Sequence, residues 1–258
     1  MNLSVFQIIR VIFLFTLVFL SGCSSTPESD NGVSDSKDPL EVINRPFWTF
    51  TWDYADKYVT KPASEAYTAY TPPFLRTGLY NMALNLNEPS SIINNLLQLK
   101  FIAAAKNTGR FVLNSTIGLL GFYDPASDFD WVSNQEEFGE VLGYYGVGDG
   151  PYLVIPALGP SSVREETGDY VDALYWPLAV IDFWPNLVRL GVLGLEKRAS
   201  IRDQEQLVVE SEDSYEFIKN AYFQNMNYRL YDGNPPLEIN ENEEDELDAF
   251  LEDFDDMD

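Results

Sequence analysis

Three carboxylates within five positions of one another are the first candidates for chemistry in this chain. Glu165, Glu166 and Asp169 could bind a metal ion or exchange protons with a substrate. Ser162 and Glu165, however, have the spacing of a helix capping box, and acidic side chains in a first helical turn interact favourably with the helix dipole. We therefore expect these carboxylates to have a structural role at the start of a helix.

Other catalytic groups are scarce. The chain has no histidine and only one cysteine, which excludes histidine-based triads, histidine metal sites and internal disulfide bonds. Ser161 and Ser162 lie near Arg164, but no general base or lysine is close to them in sequence. A hydrolase would need a nucleophile and a base that the fold brings together from distant positions. We expect a protein that is not an enzyme and that has no cofactor and no catalytic or metal-binding residues.

The stretch Gly146-Val147-Gly148-Asp149-Gly150 has the glycine content of a nucleotide-binding loop but not its spacing. A proline and an apolar run follow, where a phosphate-binding helix should begin. The Asp149-Gly150 pair predicts the turn of a hairpin instead. The wider segment 138–160 is apolar, yet it is too rich in glycine and proline for a long helix or strand. Such a segment must be buried in protein or face something other than bulk water.

The amino terminus predicts an export signal and a lipid anchor. Arg10 is the only charged residue before an apolar run at 11–20, which is long enough for a signal peptide and too short to span a bilayer comfortably. The sequence Leu-Ser-Gly then leads to Cys23, an arrangement that resembles a bacterial lipobox. We therefore predict a signal peptide at 1–22, lipidation of Cys23, and a flexible polar tether at 23–37.

Amphipathic helices are predicted from Asp38 onward, where Asp38 would cap the first helix. Apolar residues recur at spacings of three and four, as expected for amphipathic helices; the stripes are Leu40, Ile43, Phe47, Phe50 and Tyr54, then Ile92, Ile93, Leu96 and Leu97, then Phe101, Ala105, Val112 and Ile117. Such stripes usually pack in a core, but their number and aromatic content also permit lipid contact. Capping by Ser90-Ser91, a capping box formed by Ser133 and Glu136, and one long helix over 186–210 are further expectations. The fold class is all-α, with one domain at 38–233.

The net charge of the chain excludes some classes of binding partner. The formal net charge is -25, which argues against nucleic acid as a ligand because phosphate backbones require basic surfaces. Twelve Asp or Glu residues, and no Lys or Arg, lie between Glu238 and Asp258. Runs of this kind are usually solvated, so we predict a disordered acidic tail at 234–258.

Several of these features together resemble the MlaA/VacJ family of outer-membrane lipoproteins. The motifs are the lipobox, Asp38-Pro39-Leu40-Glu41 with Asn44-Arg45, Asn87-Glu88-Pro89, Arg110-Phe111 with Asn114-Ser115-Thr116, and the segment from Phe138 to Pro156. The resemblance covers roughly residues 38–233. Tyr144 stands where the family's long motif usually has a histidine.

The resemblance implies a single domain made of a ring of amphipathic helices around a central channel, lying in the periplasmic leaflet of the outer membrane. Phospholipids misplaced in the outer leaflet would pass through the channel to a periplasmic carrier, and trimeric porins would be partners. The glycine-rich segment would form a mobile hairpin beside the channel, with the residues Gly143, Tyr145, Gly146, Val147, Gly148, Gly150, Tyr152, Leu153 and Ile155. Its non-glycine members would contact the acyl chains of the lipid. The alternative is an envelope scaffold that binds porins without moving lipid.

Overall fold

The computed structural model describes residues 37–236, and most of them are helical. The all-α fold class is therefore confirmed, with one small two-stranded sheet in addition. The predicted signal peptide, Cys23 and nearly all of the predicted tether and acidic tail lie outside the described residues.

The first helices form one continuous rod. Helix α1 (Glu41–Thr49) runs into a π-helical stretch (Phe50–Thr60) and then into α2 (Lys61–Tyr70). Helices α3 (Pro73–Asn85), α4 (Glu88–Leu97), α5 (Phe101–Thr116) and α6 (Phe138–Tyr144) follow. Strand β1 (Tyr152–Ile155) pairs antiparallel with β2 (Gly159–Ser162), which leads directly into α7 (Val163–Asp172). The remaining helices are α8 (Phe183–Ser200), α9 (Glu205–Glu210) and α10 (Ser214–Leu230).

Several predicted helix ends were wrong. Asp38 does not cap α1, because its buried carboxylate instead accepts hydrogen bonds from Asn44 Nδ2 at 2.9 Å and from the Tyr215 hydroxyl. The predicted long helix at 186–210 is divided after Ser200 by a 3₁₀ turn at Arg202–Gln204.

The expected capping residues before α4 and α6 were also wrong. Ser90 and Ser91 lie inside α4, where both are buried. The capping box before α6 is made by Glu137 and Glu140 rather than by Ser133 and Glu136. Ser162 does cap α7, since its Oγ accepts a hydrogen bond from Glu165 N at 3.2 Å.

An aromatic cluster surrounds Tyr152, which has no exposed surface. Its ring centroid lies 5.5 Å from that of Tyr222 and 5.7 Å from that of Phe223. Asn44 of α1 fixes β1 in place: its Nδ2 donates to Tyr152 O at 2.9 Å and its Oδ1 accepts from Val154 N at 3.0 Å. The short sheet is thus held by α1 as well as by its own ladder.

The helices turn their polar side chains inward. In α5 the buried residues are Ala104, Asn107, Arg110 and Asn114, at helical spacing. The apolar residues Phe101, Val112 and Ile117 lie on the exposed side, with 62%, 54% and 70% of their surface accessible. The apolar stripe that ordinary core packing would bury is therefore the outer face of this helix.

This inversion extends over much of the described chain. Among residues 37–236, 22 polar or charged residues are buried, against 12 hydrophobic ones, and 42 large hydrophobic residues are exposed. The buried polar groups mostly satisfy one another: Arg110, for example, contacts Glu88 at 3.2 Å and Asp124 at 2.9 Å. Exposing so many apolar side chains to water would be costly, so this surface fits an apolar environment.

Helices α6 and α7 approach closely through two glycines. A Cβ added at Gly168 would lie 2.2 Å from Gly139 N and 2.7 Å from Gly139 Cα, which no side chain can accommodate without moving a backbone. The absence of a side chain at Gly168 therefore sets the distance between these helices.

We predict that Gly168→Ala destabilises the protein by about 1–3 kcal/mol, because overpacking here outweighs the gain in helix propensity. Gly194→Ala is the matched control, since an added Cβ would meet nothing within 4 Å there. That change should be neutral or stabilising by about 0.5–1 kcal/mol. Thermal unfolding of the two variants in the same detergent measures the difference, and equal melting temperatures would contradict the packing argument.

Candidate functional site

A cavity of about 350 Å³ lies between α4, the segment before α6, α7 and α8. One part of its lining is polar and acidic, and another part is aliphatic. The lining residues are Asn87, Ser90, Ser91, Gln135, Glu136, Glu137, Asp169, Asp172, Ala173, Leu178, Asn186, Arg189, Leu190 and Leu193. A ligand that combines charged groups with apolar ones would match both parts.

Asp172 of α7 connects three of the elements around the cavity, since it bonds to α4 and to the start of α6. Its Oδ1 accepts hydrogen bonds from Ser90 Oγ at 2.6 Å and Asn94 Nδ2 at 2.8 Å, both on α4. Its Oδ2 accepts from Phe138 N at 2.8 Å, at the start of α6. Burial raises the pKa of the Asp172 carboxyl, and these donors act in the opposite direction. Asp172 is thus fully engaged in holding the cavity together.

Glu136 fastens the segment that precedes α6. Its Oε2 accepts from Gln98 Nε2 at 2.7 Å and its Oε1 accepts from Lys100 Nζ at 2.9 Å. Its backbone carbonyl also accepts from Asn94 Nδ2 at 3.0 Å. Because an unpaired buried polar group is costly, this interlocked set favours one arrangement of the wall.

Arg189 enters the cavity from α8 without a carboxylate partner. Its guanidinium donates to the side-chain oxygens of Asn186, at 3.2 Å, and of Asn87. Its Nε is buried and has no hydrogen-bond partner. Within residues 37–236, no carboxylate forms an ion pair with it at 4 Å or less, and burial lowers its pKa.

Asp169 is the matching carboxylate. It lines the same cavity with its side chain exposed to solvent, and no side chain in the described part of the protein donates to it. Partial desolvation raises the pKa of Asp169 to about 7, and repulsion from the nearby carboxylates of Glu137, Glu165 and Glu166 acts in the same direction. Both effects disfavour the charged form of a carboxyl group.

The other two carboxylates of the sequence-predicted cluster have structural partners. Glu165 accepts a hydrogen bond from the Tyr222 hydroxyl at 2.6 Å, and Glu166 accepts one from Ser161 Oγ at 2.7 Å. In the region 37–236, no group of three or more acidic or cysteine side chains is arranged to hold a metal ion.

The glycine-rich segment has a different layout from the predicted one. Gly143 lies in α6, and Gly146 has a φ of +85°, a conformation that favours glycine. The prediction of a hairpin turn at Asp149-Gly150 was wrong. Ile155 pairs with Gly159, so the turn of the hairpin lies at 156–158. Asp149 instead forms an ion pair with Arg164 at 2.5 Å. The segment therefore consists of a helix end, a glycine loop at 146–150 and a short hairpin.

Arg164 of α7 holds the glycine loop. Its Nη1 donates to Val147 O at 2.9 Å, and its backbone N–H donates to Asp149 O at 3.1 Å. Added Cβ atoms at Gly146 and Gly148 would meet nothing within 4 Å, so open space surrounds the loop between these attachment points.

The predicted lipid-contacting residues are divided between surface and core. Tyr145 and Val147 are exposed, while Leu153 and Ile155 are half-buried. Tyr152 is completely buried in the aromatic cluster, so its side chain is unavailable to an acyl chain, which corrects that expectation. None of the nine predicted hairpin residues lines the 350 Å³ cavity.

Asp169 was named from the sequence but assigned to the start of a helix, and the role of the other cavity-lining residues was missed by sequence reasoning. One signal was present: Ser91, Asn94, Asn95 and Gln98 form a polar stripe at helical spacing beside an equally regular apolar stripe. The sequence cannot show which of the two faces inward. Nothing in the sequence indicated Arg189, because what distinguishes this residue is that no carboxylate within residues 37–236 pairs with it in the folded protein.

A helical chain that buries polar groups and exposes apolar ones is adapted to contact with lipid. A family model described as MlaA lipoprotein matches residues 36–229, and the chain belongs to this family. A Haemophilus influenzae relative, named intermembrane phospholipid transport system lipoprotein MlaA, is 35% identical over 228 residues, covering 85% of this chain and 89% of the relative.

A second relative and a solved structure are similar to this chain to the same degree. An Escherichia coli protein of the same name is 34% identical over 243 residues, covering 93% of this chain and 94% of that protein. A solved structure from work on the structural basis for maintenance of bacterial outer membrane lipid asymmetry has a TM-score of 0.71 and 34% identity. It covers 75% of this chain and 98% of its own.

The unusual pKa of Asp169 predicts a pH-dependent stability difference. Its pKa is about 7 in the folded chain and 3.8 in an ordinary setting, so the folded state holds the proton more tightly between these values. The stability that this group contributes is therefore fully present below pH 3.8 and is lost as the pH rises from there to about 7. Asp169→Asn should raise the melting temperature most at pH 8 and by a clearly smaller amount at pH 5.

Thermal unfolding of Asp169→Asn and the parent protein at both pH values is the measurement. Asp203→Asn, an exposed change outside the cavity, is the control and should show no pH-dependent difference. The same gain at pH 5 and pH 8 would show that ionisation of Asp169 is not the cause.

Proposed function

We propose that this protein is an outer-membrane lipoprotein that removes phospholipids misplaced in the outer leaflet. They would pass through an amphipathic channel for retrograde transport to the inner membrane, and lipid asymmetry would thereby be maintained. The observation that carries this proposal is the inverted burial of the helices around a cavity with polar and aliphatic lining. The names of the relatives, which refer to intermembrane phospholipid transport, support the same function.

Helix α8 shows how one element could serve both surfaces. Trp184 and Val188 are exposed, with 72% and 64% of their surface accessible, whereas Arg189 and Leu193 line the cavity. Burial of one large apolar side chain is worth about 1.5–3 kcal/mol, so insertion of this face into a leaflet is favourable. Within residues 37–236, none of the helices is both long enough and apolar enough to span a bilayer.

The size of the cavity indicates which part of a lipid it would hold. Pockets for small ligands are typically about 300–1,000 Å³, and a cavity of about 350 Å³ lies near the lower limit. We propose that it receives the charged head group, while the acyl chains follow the apolar faces of the surrounding helices. A channel of this kind needs no covalent reaction and no cofactor.

Membrane attachment would rely on Cys23 together with the exposed helical faces. Acyl chains on an amino-terminal cysteine add anchoring free energy at about 0.8 kcal/mol per buried methylene group. Association with trimeric porins and delivery to a periplasmic phospholipid carrier belong to the same proposal, and the family resemblance is what supports them.

Intact-mass measurement of the mature protein tests the anchor. We expect a chain that begins at Cys23 and carries the additional mass of acyl chains, and Cys23→Ala should abolish both processing and added mass. An unmodified amino terminus on membrane-bound mature protein would contradict lipidation at this residue.

The glycine loop provides a functional test. Valine at Gly146 would be forced into a φ of +85°, at a cost of about 1–3 kcal/mol, whereas Gly148 has open space and an ordinary φ. If the loop must move beside the lipid path, the double change of Gly146→Val and Gly148→Val should increase outer-leaflet phospholipid several-fold while leaving the protein membrane-bound.

Outer-leaflet phospholipid is measured in cells in which the variant is the sole copy. Gly194→Val, in open space on α8, is the control and should preserve asymmetry. Normal asymmetry with the double variant would refute a requirement for loop motion.

Native mass spectrometry of the purified protein separates lipid transport from the scaffold alternative. Copurified phospholipid supports transport, and a porin partner without lipid supports the scaffold.

A further inference from the structure

Two oppositely charged side chains in the cavity have no ionic partner in the described part of the protein. Arg189 is held only by the neutral oxygens of Asn186 and Asn87, and its Nε is buried with no acceptor. Asp169 receives no hydrogen bond from any side chain within residues 37–236. Both lie on the lining of one cavity, on α8 and α7 respectively.

The other charged groups of the cavity already have partners. Asp172 accepts three hydrogen bonds, and Glu136 accepts from Gln98 and Lys100. Glu137 forms an ion pair with Arg229. Buried charges are normally paired because isolated ones are costly to desolvate. Arg189 is partly buried and its Nε has no acceptor within the described residues, so it indicates an anionic ligand. Asp169 is exposed on the same lining, where it can receive a cationic group of that ligand.

Arginine is suited to phosphate because its planar guanidinium offers several donors in a fixed arrangement. Arg189 also has an unused donor at Nε, and its two neutral asparagine partners orient the group without neutralising it. A carboxylate on the same cavity lining, such as Asp169, would bind a primary ammonium group. A zwitterionic head group supplies a phosphodiester and an ammonium on one short linker.

We propose that Arg189 binds the phosphate and Asp169 binds the ammonium group of an amine-bearing glycerophospholipid, so that this pair selects zwitterionic over anionic lipids. This inference rests on the proposed function, since it identifies the class of lipid that enters the cavity. An ammonium group at Asp169 would also offset the repulsion from Glu137, Glu165 and Glu166.

The test uses the full-length lipidated protein, purified in detergent at pH 8 and exchanged into an equimolar mixture of phosphatidylethanolamine and phosphatidylglycerol with identical acyl chains. Native mass spectrometry then counts each retained lipid. We expect the parent protein to retain the ethanolamine lipid preferentially. Asp169→Asn should lower retention of the ethanolamine lipid and bring the ratio of the two lipids near one, and Arg189→Gln should reduce both lipids about tenfold.

Matched controls separate binding from folding. Arg189→Lys keeps the positive charge and should retain more lipid than Arg189→Gln. Arg202→Gln and Asp203→Asn remove the same charges from exposed positions outside this cavity and should change neither total lipid nor the ratio. Melting curves of all variants identify any that fail to fold, and Arg189→Lys then decides the role of the charge.

Three results would overturn the inference. An unchanged ratio in Asp169→Asn would exclude ammonium recognition, and unchanged retention in folded Arg189→Gln would exclude phosphate recognition. Binding of inorganic phosphate to delipidated parent protein without lipid retention would assign Arg189 to a free anion instead. If the parent protein retains neither lipid and binds no phosphate, the proposed function itself fails, which is distinguishable from retention without selectivity.

Discussion

The structure depends on a polar interior that must satisfy its own hydrogen bonds. Under the proposed insertion of the apolar stripes into a leaflet, water could not pair with polar groups on the outer face, which gives a reason for these groups to turn inward. Asn94 of α4 and Gln98, which follows this helix, donate from their amide nitrogens to Asp172 and Glu136, while their amide oxygens are buried without a partner within residues 37–236. A buried polar group that loses its partner costs about 1–3 kcal/mol, so each of these bonds restricts the fold.

The inward orientation of the polar side chains also explains which features of the fold could be predicted from the sequence. Helical periodicity identified most of the helices, because spacing of three and four depends only on local geometry. Periodicity predicted the apolar stripe of α5 but not whether it faces the interior or the surface, because a stripe that contacts lipid and a stripe that packs in a core have the same spacing. The register of β1 with β2 was also invisible, because glycine and proline mark a turn without stating which residues pair across it.

The cavity could not be predicted for a related reason. Asp172 and Ser90 are 82 positions apart in the chain, and Arg189 gains its significance only from the partners that it lacks. The motif around Gly146 was conspicuous in sequence because its composition is unusual. Cavity residues have ordinary types at ordinary positions, and only their arrangement distinguishes them.

Helix α7 connects the conspicuous motif to the cavity. Arg164 in its first turn holds the glycine loop through Val147 and Asp149, and Asp169 and Asp172 in its later turns line the cavity. Gly168 lies between them and fixes the distance to α6. The glycine loop and the cavity are therefore connected through one helix, even though they share no lining residue.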